Sequence, residues 1–145
     1  MLAVVQRVSE ASVEVDGAVV GGVGPGLCVL LGVERGDGTA QADAMAAKLV
    51  KLRIFNDEGG KMNRAVGEVA GGILVVSQFT LAGDTSGGNR PSFTNAAAPE
   101  VAEPLYERVV QAIQAAGIPA ATGRFRTHMT VRIVNDGPVT ILVRT

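Results

Sequence analysis

Hydrophobic positions along the chain change their spacing several times, and each change marks an element. Residues 2–8 and 11–15 are rich in Val with polar residues interleaved, and read as two strand segments. Asp16-Gly17 predicts a hairpin turn and Ala18–Val23 the returning strand. Gly24-Pro25-Gly26 breaks that strand. Leu27–Val33 is then apolar throughout, which predicts a strand covered on both faces. After the turn-rich Glu34–Gly38, Thr39 is placed to cap a helix whose apolar side runs Ala42, Met45, Ala46, Leu49 and Leu52. Asn56–Gly60 reads as a turn, and Gly72 opens Ile73–Leu81, the most strand-like run in the chain.

A second helical stripe follows at Val101, Leu105, Val109, Ala112, Ile113 and Ala116, with Pro99 suited to its start and Gly117 to its end. Pro104 fits an interior poorly, so the helix is expected to begin near it or to bend in its first turn. Met129–Val134 and Val139–Val143 are β-like runs on either side of Asn135-Asp136-Gly137-Pro138, and Asp-Gly between such runs predicts a closing hairpin. The proline after the glycine is at a bond where cis is accessible. These elements predict an α/β fold. Residues 1–145 form one compact domain, a curved, mostly antiparallel or mixed β-sheet assembly with two main helices packed on it. No glycine-rich phosphate loop joins a strand to a helix.

Composition narrows the function classes. The chain has 145 residues, enough for one substantial core, and 47% are hydrophobic without any run of membrane-spanning length. Its start lacks a basic, long-apolar signal sequence, and the single Cys28 lies in the apolar run 27–31 as a buried, inert thiol. A cytoplasmic protein without a membrane partner is expected. Thirteen Lys and Arg stand against fourteen Asp and Glu, with no basic run. A protein gripping a long nucleic-acid backbone needs a cation for each phosphate, so any RNA contact is expected to be a short end, with no DNA partner.

The candidate chemistry lies at Ser77-Gln78-Phe79-Thr80, a strand end running into the loop Ala82–Asn95. Ser77 or Thr80 acting as a nucleophile would need a base, and His128 is the only histidine. No cluster of metal-ligand residues is evident, so neither a metal nor a cofactor is expected. Backbone amides, bound water and the substrate's own groups remain as catalytic candidates. The glycine-rich loop 83–93 ends in Arg90 and Phe93, and Arg matches phosphate geometry with paired hydrogen bonds. Arg124-Phe125-Arg126 interleaves cations with an aromatic, a pattern that can stack a base beside its phosphate, although Phe125 fits a plain core position equally well.

Several of these segments together resemble the D-aminoacyl-tRNA deacylase family. They are Val5-Gln6-Arg7-Val8 with Ala11-Ser12-Val13, Arg53-Ile54-Phe55, Gly60-Lys61-Met62-Asn63, Asn89-Arg90-Pro91-Ser92-Phe93, and most specifically Ser77–Leu81 and Asn135–Thr140. The resemblance covers essentially the whole chain. It implies a small α/β homodimer that hydrolyses the ester of D-aminoacyl-tRNA, and of glycyl-tRNA, in chiral proofreading. Gly137 and Pro138 would form a Gly-cisPro element acting at the partner's site and excluding L-residues, with Arg7 supporting it. Gln78, Phe79, Thr80 and Ser77 would form the catalytic segment. Phe125 and Met129 fall where the family binds the terminal adenosine, with Arg90 and Arg126 beside them for tRNA. Arg126, Thr127 and His128 depart from the small residues usual after that phenylalanine. Two other readings stay open: a serine or threonine esterase that requires His128, and a non-catalytic module binding RNA ends.

Overall fold

The computed structural model describes residues 1–145. Strand β1 (Leu2–Val15) runs unbroken where two segments were expected, because it is hydrogen-bonded along both edges. Its second half pairs with β2 (Ala18–Val23) across the Asp16-Gly17 turn, where both residues have positive φ (51° and 79°), the requirement of a tight primed turn. Its first half pairs antiparallel with β3 (Gly26–Gly32). Helix α1 (Thr39–Lys51) and the small hairpin of β4 (Phe55–Asn56) and β5 (Met62–Arg64) then lead to β6 (Gly72–Ser77), parallel to β3. Helix α2 (Pro99–Ala115) crosses to β7 (Ala120–Thr122), parallel to β6. Parallel neighbours need such long crossovers, and here each contains a helix.

The sheet order is β2-β1-β3-β6-β7, with the last strand, β8 (Thr130–Arg144), on the other edge of β1. The sheet curls until β2 nearly meets β7: a Cβ on Gly21 would stand 2.1 Å from the Thr122 carbonyl oxygen. Glycine at 21 therefore permits the near-closure. The curl creates two cores. Ala3, Val5, Leu27, Val29, Leu31, Ile73 and Val75 point to one side and bury Met45 and Leu49 of α1 and Leu105, Val109 and Ile113 of α2. Val8, Ala11, Val13, Cys28, Leu74 and Val76 fill the other side. Strands β3 and β6 alternate between these cores, which explains their unbroken apolar character. Cys28 is buried, and burial pushes its thiol up to about 11.

The helix ends differ in detail from expectation. Gly38, not Thr39, caps α1, and its N–H donates to Oε1 of Gln41 at 2.9 Å. Helix α2 starts at Pro99 and continues through Pro104, with Val101 and Ala102 N–H both donating to the Ala98 carbonyl at 2.9 Å. Pro104 and Glu100, whose carbonyl loses its donor there, are both exposed, so the missing bond is left on the wet side. Arg108 of α2 holds Asp43 of α1 through two bonds of 2.6 and 2.8 Å, which keep the Asp43 carboxyl below its usual range.

The C-terminal hairpin does not form. Both β-like runs belong to β8 and pair with the same partner, β1. Thr140 pairs with Gln6 and Asn135 with Val8, so residues 136–139 bulge out opposite Arg7 alone. The Asn135 side chain closes the neck of the bulge, accepting from Val139 N–H and donating to Thr140 Oγ1, each at 3.0 Å. Gly137 has φ +132° and the Gly137–Pro138 peptide is cis. An Asp-Gly signal between two strands cannot tell a turn from a bulge, because only the long-range partner decides whether the strands pair with each other.

The chain's only tyrosine, Tyr106, is buried on α2 and donates its hydroxyl to the Val75 carbonyl of β6 at 2.8 Å. Burial pushes this phenol up to about 12. A folded pKa above the unfolded value contributes stability below about pH 10 that is lost as pH rises toward 12. Absorbance titration should therefore show the phenol ionising near 12 in the folded protein. Tyr106→Phe should cost about 0.5–1.5 kcal/mol at neutral pH, since the Val75 carbonyl keeps the Gly123 N–H at 3.3 Å, and should flatten the alkaline loss of stability in denaturant melts.

Candidate active site

Strand β6 stops at Ser77 instead of continuing to Leu81. Gln78 N–H donates the last ladder bond, to the Leu31 carbonyl at 2.8 Å, and residues Phe79–Ala82 wind into a 3₁₀ turn. The turn lies over Gly32, where a Cβ would come 3.0 Å from the Gln78 carbonyl oxygen and 3.1 Å from Leu81 Cβ. Its internal bonds begin with Leu81 N–H to Gln78 O at 3.2 Å. The N–H groups of Phe79 and Thr80, first in the turn, have no acceptor within it. The Gln78 side-chain amide donates to the Thr80 hydroxyl, joining the two polar side chains.

Beside this turn lies a cleft of about 700 Å³. It is lined by Ser77, Gln78 and Phe79 and by residues 125–129 together with Val131. Phe93 closes one end, edge-on to Phe79 with ring centroids 5.1 Å apart. Ala96 and Ala97, also in the lining, are tied to the residue that follows β3 by Ala97 N–H to the Val33 carbonyl at 3.0 Å. Phe125 is braced from below by Tyr106, at 6.1 Å between centroids. The fold thus brings Ser77, Gln78, Phe79, Phe125, Arg126 and Met129 together, with Thr80 attached through Gln78.

Other expected residues lie elsewhere in the same chain. Arg90 is exposed on the loop closed by Asp84 and Ser92, whose backbones exchange two bonds of 2.8 Å, and it does not line the cleft. The Ser86 N–H holds the Asp84 carboxyl below its usual range. Gly137 and Pro138 do not line it either. They stand over Arg7, whose Nε donates to the Asp136 carbonyl at 3.1 Å and lies 3.3 Å from the Asp136 carboxylate. His128 lines the cleft, yet no hydrogen bond joins it to Ser77 or Thr80, so a hydroxyl–histidine dyad is not assembled. No group of three or more His, Cys, Asp or Glu is placed to hold a metal ion.

The description D-Tyr-tRNA(Tyr) deacylase belongs to the family model that matches residues 4–144. The chain belongs to this family. It is 60% identical over 141 residues to a D-aminoacyl-tRNA deacylase of Symbiobacterium thermophilum, covering 97% of this chain and 93% of that protein. A D-aminoacyl-tRNA deacylase of Variovorax paradoxus is likewise 60% identical, with 97% of each chain covered. Among solved structures, the c-Myc DNA Unwinding Element Binding Protein superposes with a TM-score of 0.95 at 40% identity, over 100% of this chain and 99% of that one. A probable eukaryotic D-amino acid tRNA deacylase shares the fold, with a TM-score of 0.81 at 18% identity over 99% and 98% of the chains.

Two features of this family member's cleft were not legible from its motifs. Arg126 sits in the left-handed region at φ +56°, uncommon for a side chain of its size. Gly123 underlies Met129: a Cβ there would stand 2.7 Å from the Met129 sulfur, which also accepts the Arg124 N–H at 3.3 Å. The thioether is thus seated on bare backbone, a contact no local sequence signal announces. Gly123→Ala should lower stability by about 1–3 kcal/mol through overpacking. Adding Met129→Ala to that variant should recover most of the loss, giving a clear coupling in a double-mutant cycle of melts. Simple additivity would show that the glycine serves something else.

Proposed function

We propose that the protein hydrolyses the ester joining a D-amino acid, or glycine, to the 3′-terminal ribose of tRNA, and leaves L-aminoacyl-tRNA intact. The observation that supports this reading is the cleft itself, lined both by Gln78 and Phe79 at the start of the turn after β6 and by Phe125 and Met129. The terminal adenosine lies against the latter pair, where a base stacks on Phe125. The ester then reaches the turn, and the free N–H groups of Phe79 and Thr80 stabilise the oxyanion that forms as water attacks. An aminoacyl ester is already activated, so orientation and charge stabilisation supply most of the acceleration. Gln78 and Thr80 shape the site and position the reacting groups. Arg90 and Arg126 meet phosphates of the terminal nucleotides.

The chiral filter in this reading is Gly137-Pro138 of the partner subunit in a homodimer. Support comes from its placement: the bulge is clamped by Arg7 and stands outside its own chain's cleft. Backbone atoms there leave no space for an L side chain, and glycine, having none, passes. A Cβ on Gly137 would meet Val139 Cγ2 at 2.8 Å and Arg7 Nη2 at 3.0 Å, so even Ala displaces the bulge.

Matched D- and L-tyrosyl-tRNA offered to the pure protein should give fast and negligible hydrolysis respectively. Comparable rates would exclude a chiral proofreading role, and binding without turnover would favour the RNA-end module. Thr80→Ala should lower the rate roughly ten- to a thousandfold, as expected of a positioning hydroxyl, with no acyl-enzyme trapped. Gly137→Ala should fold and lose D-substrate hydrolysis, L-rejection, or both. Mixed dimers of Thr80→Ala and Gly137→Ala chains contain one site free of both lesions if the bulge acts across subunits. Such mixtures should regain D-specific activity well above that of either parent. No recovery would place the filter within one chain.

A further inference from the structure

The small negative net charge hides an uneven distribution of cations. Five of the thirteen, Arg7, Arg64, Arg108, Arg132 and Arg144, are in ion pairs. Of the remaining eight, Arg90, Arg124 and Arg126 belong to the cleft and the loop beside it, and Arg35 stands alone. The other four are Lys48, Lys51, Arg53 and Lys61, among them every lysine in the chain. All four are exposed. The two carboxylates in the same stretch are occupied: Asp57 accepts the Gly59 and Lys61 N–H groups at 2.9 and 3.0 Å, and Glu58 faces Arg64 at 3.6 Å.

These cations stand on a connected unit. Lys48 and Lys51 occupy the last turn of α1, three residues apart and so neighbours on its surface. Arg53 Nε donates to the Asn63 carbonyl at 2.8 Å, fastening the chain after α1 to the far arm of the β4–β5 hairpin. The hairpin's near end is held by Arg7, whose Nη1 donates to the Ile54 carbonyl at 2.8 Å and to Asn56 Oδ1 at 3.4 Å. The same guanidinium clamps the Gly137-Pro138 bulge from its Nε side. Hairpin and bulge are therefore carried by one side chain, and where the bulge docks, the hairpin goes with it.

We propose that the end of α1 and the β4–β5 hairpin form an RNA-backbone contact surface, which grips phosphates upstream of the 3′ end held in the partner subunit's cleft. The proposal rests on the reading that the bulge works across subunits. Lysine suits this task, because an ammonium on a flexible stem meets a phosphate without demanding one geometry. A contact of this kind reads backbone and not base edges, so it would serve tRNAs of different sequence equally. It extends the grip beyond the terminal nucleotides without requiring a basic protein.

The test uses the full dimer carrying Lys51→Glu and Lys61→Glu, with two substrates, D-tyrosyl-tRNA and D-tyrosyl-adenosine, which has the ester, ribose and base but no upstream phosphate. On tRNA the double variant should raise KM about tenfold or more at low salt with kcat unchanged. Its log–log salt dependence should become shallower by roughly 1.4, the equivalent of two single-strand phosphate contacts. Hydrolysis of D-tyrosyl-adenosine should match that of the unaltered protein. Mixed dimers with Thr80→Ala chains should restore the tRNA KM, because the one active cleft is then served by an intact lysine surface. Unchanged KM and salt slope on tRNA would overturn the proposal, as would an equal loss on both substrates. Retained hydrolysis of D-tyrosyl-adenosine would then leave the deacylase reading standing. No turnover of either substrate by the unaltered protein would remove that reading and this proposal with it.

Discussion

Arg7 is the one charged side chain buried in the fold, and both the β4–β5 hairpin and the bulge of β8 hang from it. A guanidinium withdrawn from water is costly unless its donors are met. Here they are met by the Ile54 and Asp136 carbonyls and the Asn56 side chain, with the Asp136 carboxylate close by. Those acceptors come from two irregular segments, the start of the β4–β5 hairpin and the bulge of β8. Neither has a core of its own. The bulge, lacking a ladder partner over residues 136–139, takes its shape from Arg7 and from the Asn135 side chain. Satisfying one buried charge thus orders the segment to which the chiral filter is assigned.

The cleft is built on a different principle, close backbone approach. Gly32 lets the turn after β6 settle on β3, Gly123 seats the Met129 sulfur, and Gly21 lets the sheet curl until β2 faces β7. Each position replaces a side chain with a neighbouring backbone or thioether atom, so the walls are held by packing on strands. Tyr106 joins this scaffold to the site, bonding β6 through its hydroxyl while its ring braces Phe125. A site of the proposed kind, with fixed amides and stacking surfaces, needs such rigidity, because its catalytic power would lie in position more than in reactive side chains.

Charge is arranged with similar economy. Arginines on helices and on the outer strand are neutralised locally, as Arg108 is by Asp43 and Arg132 by Glu14. Unpaired cations remain around the cleft and at the end of α1 with its following hairpin. Electrostatic attraction for a polyanion is thereby concentrated where a substrate would lie, although the chain's net charge is −1.

Local sequence patterning was enough for much of the fold. Val-rich runs, the Asp16-Gly17 turn, the doubly covered Leu27–Val33 strand and the stripes of both helices are written in side-chain periodicity, which depends only on near neighbours. Residues 77–81, Phe125 and Met129 were singled out by their resemblance to the deacylase family and not by periodicity, and the fold brings Ser77–Phe79 and residues 125–129 to one cleft. Pairing partners were not legible. Met129–Val134 and Val139–Val143 look like the arms of a hairpin, and only the presence of β1 beside both makes them one strand with a bulge. The end of β6 at Ser77, the seat beneath Met129 and the buried role of Tyr106 were likewise decided by atoms distant in sequence. Periodicity determines which face of an element is apolar; which distant backbone or buried group meets that face is settled only when the sheet closes on itself.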